Sequence, residues 1–193
     1  EKDDNYKSEW DPNYNLFSQE RYQLVWQRKN WKIYENLKVL PRAFLAGNFL
    51  VINHEKEAIE TIYNAKYDKD FNPAETIILE KEPPLELKPD SKSDGKADII
   101  SYQPNKIKLK TQADGNKILF LSDTYYPGWK AYVDGKASEI YKANYAFRAV
   151  FIPAGNHEVI FSYEPISFKI GLLISVVFLI AVVIFYFKIC HQK

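Results

Sequence analysis

The residue types that could bind a ligand are concentrated in one aromatic turn of this chain. Tyr125, Tyr126 and Trp129 flank the dipeptide Pro127-Gly128. Exposed aromatic rings in such a turn could stack on the faces of sugar rings. The alternative is that Trp129 packs in a core while the tyrosines cover an edge, because aromatic residues act mostly through the area they bury. The sequence leaves both interpretations open.

Two carboxylates lie near this turn and could form an acid/base pair. Asp123 precedes the aromatic turn, and Asp134 follows it directly before Gly135. Paired carboxylates carry out glycoside chemistry in many enzymes. An Asp before a Gly is, however, typical of a tight turn, and Asp123 could cap the aromatic turn in the same way. We therefore assign no catalytic residue.

Two arginines could bind an anionic ligand. Arg42 and Arg148 carry the guanidinium groups that match a phosphate or an acidic sugar. Either arginine could instead form an ordinary ion pair with a neighbouring acid. The candidate ligand-binding residues are therefore Tyr125, Tyr126, Trp129 and Arg148.

Other familiar sites are missing from the sequence. The three histidines, His54, His157 and His191, lack the spacing of metal ligands, and there is no phosphate-binding Gly loop, CxxC pair or Ser-His-Asp order. The net charge of +1 gives no broad attraction to nucleic acid. We expect no metal, no cofactor and no nucleic-acid partner. A single cysteine, Cys190, excludes a disulfide within the chain.

The element that anchors the body of the chain is an apolar stretch near the C-terminus. Ile170 to Phe187 contains no charged residue. As an α-helix the stretch is about 27 Å long, close to the roughly 30 Å of hydrocarbon in a bilayer. It predicts a transmembrane helix and a location in the cell membrane. Lys188 and Lys193 follow the stretch, so the positive-inside rule favours a cytoplasmic C-terminus and an extracytoplasmic main domain.

The first half of the chain has a mixed pattern. Residues 1–20 are polar and indicate an irregular segment, while alternation between residues 22 and 34 predicts a β-hairpin. Asn53 could cap a short amphipathic helix that continues to Tyr63. Residues 81–96 are rich in proline and charge and indicate a linker or an extended edge. We expect residues 1–96 to form a small α+β part.

The second half reads as a succession of strands. Apolar alternation recurs from Ala97 to Pro165, with turn residues at Asp114-Gly115 and Asp134-Gly135. Short strands joined by such turns predict an antiparallel β-sandwich over residues 97–165. The fold class is therefore mainly β, with a transmembrane helix and a short tail over residues 166–193. The sandwich must lie close to the membrane, because its last strand runs almost directly into the apolar stretch.

Three stretches carry a resemblance to a known family: YENLKVLPRAFLAGNF from Tyr34, LSDTYYPGWKAYVDGK from Leu121, and ANYAFRAVFIPAGNHEVIFSYEP from Ala143. Together with the terminal apolar helix, the chain resembles the C-terminal part of YfhO-type bacterial membrane proteins. These are similar to GT-C glycosyltransferases, which take sugars from lipid-phosphate donors. The segment from Asp123 to Gly135 is the most specific part of the resemblance.

The resemblance implies that the chain is one piece of a protein with many membrane spans. The absence of methionine, including at position 1, agrees with a longer parent protein. GT-C enzymes carry their catalytic acid in an early extracytoplasmic loop, so the resemblance assigns no catalytic residue here. We expect a non-catalytic module of a membrane glycosyltransferase that acts on cell-envelope polymers. Its partners would be the bilayer, the rest of the parent and a cell-envelope glycan. The alternative is a membrane-anchored sandwich that binds a wall glycan or a partner protein.

Overall fold

A computed structural model describes residues 20–64, 71–84, 89–92 and 94–190. Three of the features considered above lie outside these residues in part or in full. They are nearly all of the irregular segment expected over residues 1–20, parts of the expected linker, and His191. The chain divides into two compact units after Pro41, and each unit is described by itself.

The first unit contains one β-hairpin. Strand β1 (Tyr22–Arg28) pairs antiparallel with β2 (Trp31–Asn36), with a register shift between Leu24 and Trp26. Lys29 closes the turn with φ of +51°. The hairpin predicted from the alternation of residues 22–34 is confirmed.

The second unit, from Arg42 onward, contains eleven strands and two helices among the described residues. The helices are α1 (Glu55–Asn64) and α2 (Ile166–Cys190). The strands are β3 (Ala43–Ala46), β4 (Asn48–Val51), β5 (Thr76–Leu79), β6 (Gly95–Gln103), β7 (Lys106–Ala113), β8 (Lys117–Leu121), β9 (Trp129–Val133), β10 (Lys136–Ser138), β11 (Tyr141–Ala143), β12 (Phe147–Ile152) and β13 (Gly155–Tyr163).

These strands form two sheets that pack face to face. One sheet has five strands in the order β10-β9-β13-β7-β6, and the other has six in the order β3-β8-β12-β11-β5-β4. All pairings are antiparallel except that of β4 with β5. Apolar residues of both sheets share one buried cluster, which includes Leu109, Leu121, Val150 and Phe161. The predicted sandwich is confirmed.

The six-stranded sheet is also apolar on its second face. Phe120, Tyr141 and Phe151 form a second cluster there. Helix α1 contributes Ala58 to a third cluster with Phe71 and Ile78. Because both faces of this sheet are buried, β8 is enclosed along its whole length.

Helix α2 begins three residues after β13 ends at Tyr163. Among the described residues it is the one helix that is long and apolar enough to cross a membrane, over Ile166–Lys188. Its side chains are exposed along the whole apolar length, which suits contact with lipid rather than with a protein core. The terminal apolar helix predicted from Ile170 to Phe187 is confirmed.

Two organisational details differ from the sequence interpretation. Asp114-Gly115 does not close a hairpin, because β7 pairs with β6 and β13 in one sheet while β8 pairs with β3 and β12 in the other. That turn instead carries the chain between the sheets. Strands from residues 43–79, which the sequence analysis grouped with residues 1–96, lie in the same sheet as β8, β11 and β12.

Candidate functional site

An aromatic and charged cleft lies at the end of the sandwich from which the chain enters α2. Its volume is about 480 Å³. We call it the aromatic cleft, and it is lined by Tyr102, Pro104, Asn105, Asp123, Thr124, Tyr126, Trp129, Arg148 and Tyr163. Because Tyr163 ends β13 and α2 starts at Ile166, this end of the sandwich is adjacent to the membrane-spanning helix.

Arg148 is buried inside the sandwich. It alternates with Val150 and Ile152 on β12, which places its side chain on the inner face of the six-stranded sheet. It is 1% exposed. Its guanidinium lies 4.1 Å from the ring centre of Trp129 and 5.3 Å from that of Phe161. The two aromatic rings, both on the five-stranded sheet, therefore contact the cation across the sandwich.

Asp123 joins the polar side chains of the cleft. It follows β8 and is 9% exposed. Its carboxylate accepts hydrogen bonds from Arg148 Nη2 at 3.1 Å, from Arg42 Nε at 3.1 Å and from the Tyr102 hydroxyl at 3.1 Å. The Arg42 guanidinium also lies 4.7 Å from the Tyr102 ring centre. One carboxylate thus faces two guanidinium groups, which leaves an excess of positive charge.

Part of the Arg148 guanidinium is without a partner. Its Nε and Nη1 atoms are buried and find no acceptor among the residues that the structure describes. These two atoms carry three of the five N–H donors of an arginine. Burial lowers the pKa of Arg148, and Asp123 opposes that shift. Burial also raises the pKa of Tyr102, with Asp123 acting in the same direction.

The turn that carries the candidate aromatic residues is attached to the start of the transmembrane connection. The Gly128 carbonyl accepts a hydrogen bond from the Glu164 amide at 2.7 Å. Gly128 has φ of +103°, and a Cβ there would lie 2.9 Å from Tyr163 and 3.2 Å from Pro165. A glycine is therefore required for the turn to approach the residues before α2.

Three of the four candidate residues meet in the aromatic cleft. Tyr126, Trp129 and Arg148 line it together, whereas Tyr125 does not. Tyr125 lies in a neighbouring groove of about 370 Å³, which it shares with Tyr126 and Trp129. Trp129 is half-buried against the inter-sheet core, so it both packs and lines the cleft.

Sequence reasoning missed two tyrosines of the cleft. Tyr102 is the next-to-last residue of β6, and Tyr163 is the last residue of β13. Tyr163 packs beside Trp129 and Tyr126, with ring centres 5.4 and 6.5 Å apart. Neither tyrosine stands near the aromatic turn in sequence. The pairing of Tyr163 with Trp129 across β13 and β9 brings Tyr163 to the turn, and Tyr102 is carried by β6, which joins the same sheet through β7.

The two carboxylates considered as an acid/base pair lie apart. Asp123 is beside Arg148, and Arg148 contacts Trp129, the first residue of β9. Asp134 follows Val133, the last residue of β9. The length of β9 separates them by about 13 Å. Asp134 instead binds His157 Nδ1 at 2.6 Å, and it turns the chain with Gly135 at φ of +50° and +78°. The predicted Asp134-Gly135 hairpin between β9 and β10 is confirmed.

The groups that line the cleft include aromatic rings, one carboxylate and one guanidinium. The described residues include no cluster of three or more His, Cys, Asp or Glu side chains that could hold a metal ion. Arg42, Arg148 and Tyr102 already engage the single carboxylate of the cleft. Aromatic faces beside an incompletely bonded guanidinium can hold a ring and an anionic group at the same time.

The chain combines a β-sandwich, a cleft lined by aromatic and charged residues, and one apolar helix that is long enough to cross a membrane. A family model described as "Bacterial membrane protein YfhO" matches residues 83–175. The "Uncharacterized protein YfhO" of Bacillus subtilis (strain 168) is 30% identical over 90 residues. That alignment covers 47% of this chain and 10% of the relative. No solved structure matches the chain. Over the matched residues, this chain is similar to YfhO-type bacterial membrane proteins.

The matched range includes every residue that lines the aromatic cleft. It contains Tyr102, Asp123, Tyr126, Trp129, Arg148 and Tyr163. Arg42 and strands β3, β4 and β5 lie before it. The chain covers only a small share of its curated relative, so the activity of the whole protein is a matter for proposal.

Proposed function

We propose that this chain is a non-catalytic extracytoplasmic module of a polytopic bacterial membrane glycosyltransferase of the GT-C type. The parent would use lipid-phosphate-linked sugars to glycosylate cell-envelope polymers. The module would bind the saccharide part of a substrate in the aromatic cleft, with Tyr126 and Trp129 stacking on it and Tyr125 extending the surface. The catalytic residues would lie in the rest of the parent protein.

The observation that carries this proposal is the position of the aromatic cleft. Tyr163 lines the cleft, and only Glu164 and Pro165 separate it from α2. The hydrogen bond between Gly128 and Glu164 holds the aromatic turn to the same residues. A ligand in the cleft would therefore lie near the membrane surface, where a lipid-linked sugar meets its acceptor.

The proposed topology puts the sandwich outside the cytoplasm and the C-terminus inside. The test is a Lys108→Cys variant in a Cys190→Ser background, since Lys108 is partly exposed on β7 and alternates with the buried Ile107 and Leu109. A membrane-impermeant maleimide should label this cysteine on intact cells. Labelling only after the cells are permeabilised would show that the sandwich lies in the cytoplasm and would contradict the proposed topology.

The proposed role in glycosylation is tested by deletion in the full-length parent. Removal of residues 42–165 takes out the second unit up to α2, whereas a cut at residue 97 would leave β3 without β8. The deleted protein should reach the membrane at normal level, and glycosylation of the cell-surface polymer should be lost. Full glycosylation by the deleted protein would contradict this role. The chain would then be better described as a separate module that binds a wall glycan or a partner protein.

A further inference from the structure

The buried arginine of the aromatic cleft has more donors than the structure uses. Arg148 is 1% exposed, and its Nη2 atom donates to Asp123. Its Nε and Nη1 atoms are buried without an acceptor among the described residues. A buried donor without a partner costs about 1–3 kcal/mol, so an arrangement of this kind calls for a ligand that supplies the acceptors.

The charges around Arg148 favour an anion as that ligand. Asp123 is the one carboxylate that lines the aromatic cleft among the described residues, and it is shared with Arg42 and Tyr102. Two guanidinium groups against one carboxylate leave one positive charge in excess. The Arg148 guanidinium is buried, which strengthens its electrostatic attraction to an anion, whereas the Arg42 side chain is 55% exposed.

The shape of the cleft determines which anion fits. The faces of the Arg148 guanidinium are covered by Trp129 at 4.1 Å and Phe161 at 5.3 Å. A ligand must therefore approach the edge of the guanidinium plane. Oxyanions with two or more oxygens match the in-plane N–H donors of arginine, and a single halide does not.

We propose that the aromatic cleft is an oxyanion site in which Arg148 binds a phosphate group. This inference rests on the proposed function in one respect, namely that the cleft is the ligand site. It adds that the ligand is acidic and that Arg148 is the residue that contacts its charge. A phosphate could belong to a lipid headgroup or to a molecule outside the bilayer, and the two sources present the same chemistry to the arginine.

The test uses the full chain in nanodiscs of a neutral betaine lipid whose headgroup carries no phosphate, with Trp10, Trp26 and Trp31 replaced by Phe. Trp129 is then the sole tryptophan, and it lies against the guanidinium. Titration with inorganic phosphate at constant ionic strength, set with chloride, should change Trp129 fluorescence in a saturable way. Acetate serves as the carboxylate probe, and tighter binding of phosphate than of acetate is expected.

Three variants make the test specific. Arg148→Lys should weaken phosphate binding by about tenfold or more, because an ammonium lacks the planar donors. Asp123→Asn should strengthen binding, since it removes the carboxylate that competes for Arg148. Lys108→Ala, on the outer face of β7, should leave binding unchanged and controls for general attraction of anions. Circular dichroism checks that each variant is folded.

Nanodiscs with about one third phosphatidylglycerol distinguish the two sources of phosphate. If the site takes a lipid headgroup, the Trp129 signal is already shifted in these discs and added phosphate changes it little. If the site takes a phosphate from outside the bilayer, phosphate titrates equally in both discs. Either result supports the oxyanion site.

Absence of a saturable response in both kinds of disc would overturn the inference, and so would Asp123→Asn binding no better than the parent chain. Arg148 would then be a structural cation held by Asp123 and the two rings. Deletion of residues 42–165 could still abolish polymer glycosylation in that case, because that experiment does not depend on phosphate binding. The failure of this inference is therefore distinguishable from failure of the proposed function.

Discussion

The two ends of the sandwich use similar residues for different purposes. At the end next to α2, Asp123 is buried and accepts a hydrogen bond from Arg148 on the neighbouring strand β12. At the far end, Asp134 is half-exposed and pairs with His157 beside a two-residue turn. The far pair shapes a hairpin, and the Asp134 carboxylate is satisfied by His157 and by the Glu158 amide on the neighbouring strand β13. The near pair joins β8 to β12, and the Arg148 Nε and Nη1 atoms have no acceptor in the part of the chain that the structure describes.

The largest effect expected from this comparison comes from Asp123→Ala. Removal of one partner from a buried ion pair costs about 3–5 kcal/mol, because Arg148 would stay buried without its carboxylate. The measurement is urea denaturation of the full chain in nanodiscs. The matched control is Asp98→Ala on β6, whose carboxylate is exposed and pairs with Lys96. Equal midpoints for the two variants would contradict the distinction between the ends.

The next effect is that of Trp129→Ala. Truncation of a buried Trp typically costs about 3–5 kcal/mol, and the partial exposure of Trp129 puts it near the lower value. The loss combines packing in the inter-sheet core with the contact to Arg148. Thermal denaturation should therefore shift clearly downward. An unchanged melting temperature with loss of ligand binding would make Trp129 a platform for the ligand alone.

At the far end, Gly135→Val should destabilise the chain by about 1–2 kcal/mol, because a β-branched residue resists positive φ. Gly135 has φ of +78°, and a Cβ there meets nothing within 4 Å. The cost is thus conformational, and the matched variant Gly135→Asn should be much milder. Thermal denaturation of both variants checks this. Equal losses would mean that contact, and not backbone conformation, decides the effect.

The smallest effect is the pH dependence of the Asp134–His157 pair. The hydrogen bond with the Asp134 carboxylate raises the pKa of His157, and that bond lowers the pKa of Asp134. The stabilisation by His157 is therefore complete below its ordinary pKa of about 6.5 and is lost as pH rises through the raised value. The contribution of Asp134 persists until the pH falls toward its own lowered pKa.

His157→Gln should accordingly lower the melting temperature more at about pH 6 than at about pH 8.5, on either side of the ordinary histidine pKa. His54→Gln is the matched control, since the His54 side chain is exposed near the start of α1. A loss that is the same at both pH values would show that His157 contributes only packing.

Much of the fold could be predicted from local patterns. Three elements were predicted from adjacent residues alone. They are the terminal helix from the uncharged run at Ile170, the first hairpin from the alternation of residues 22–34, and the second hairpin from Asp134-Gly135. Asp114-Gly115 carries the same signal as Asp134-Gly135, yet it links two sheets. The difference lies in which strands the neighbours pair with, and turn residues contain no information about that pairing.

The site was less accessible to sequence reasoning for the same reason. Arg42, Tyr102 and Arg148 bind Asp123 from 81, 21 and 25 residues away. The aromatic turn was recognisable because its residues are adjacent. The partners of Asp123 are brought in by pairing of β8 with β3 and β12, and by packing of the two sheets.

The central claim is that the aromatic cleft near the membrane carries the function of the module. Its most direct test compares Tyr126→Ala with Tyr63→Ala in the full-length parent, at equal membrane level. Both tyrosines are well exposed, at 61% and 75%, but Tyr63 lies on α1 and not in the cleft. We expect glycosylation of the cell-surface polymer to fall with Tyr126→Ala and to stay normal with Tyr63→Ala. Normal glycosylation in both variants would contradict the claim.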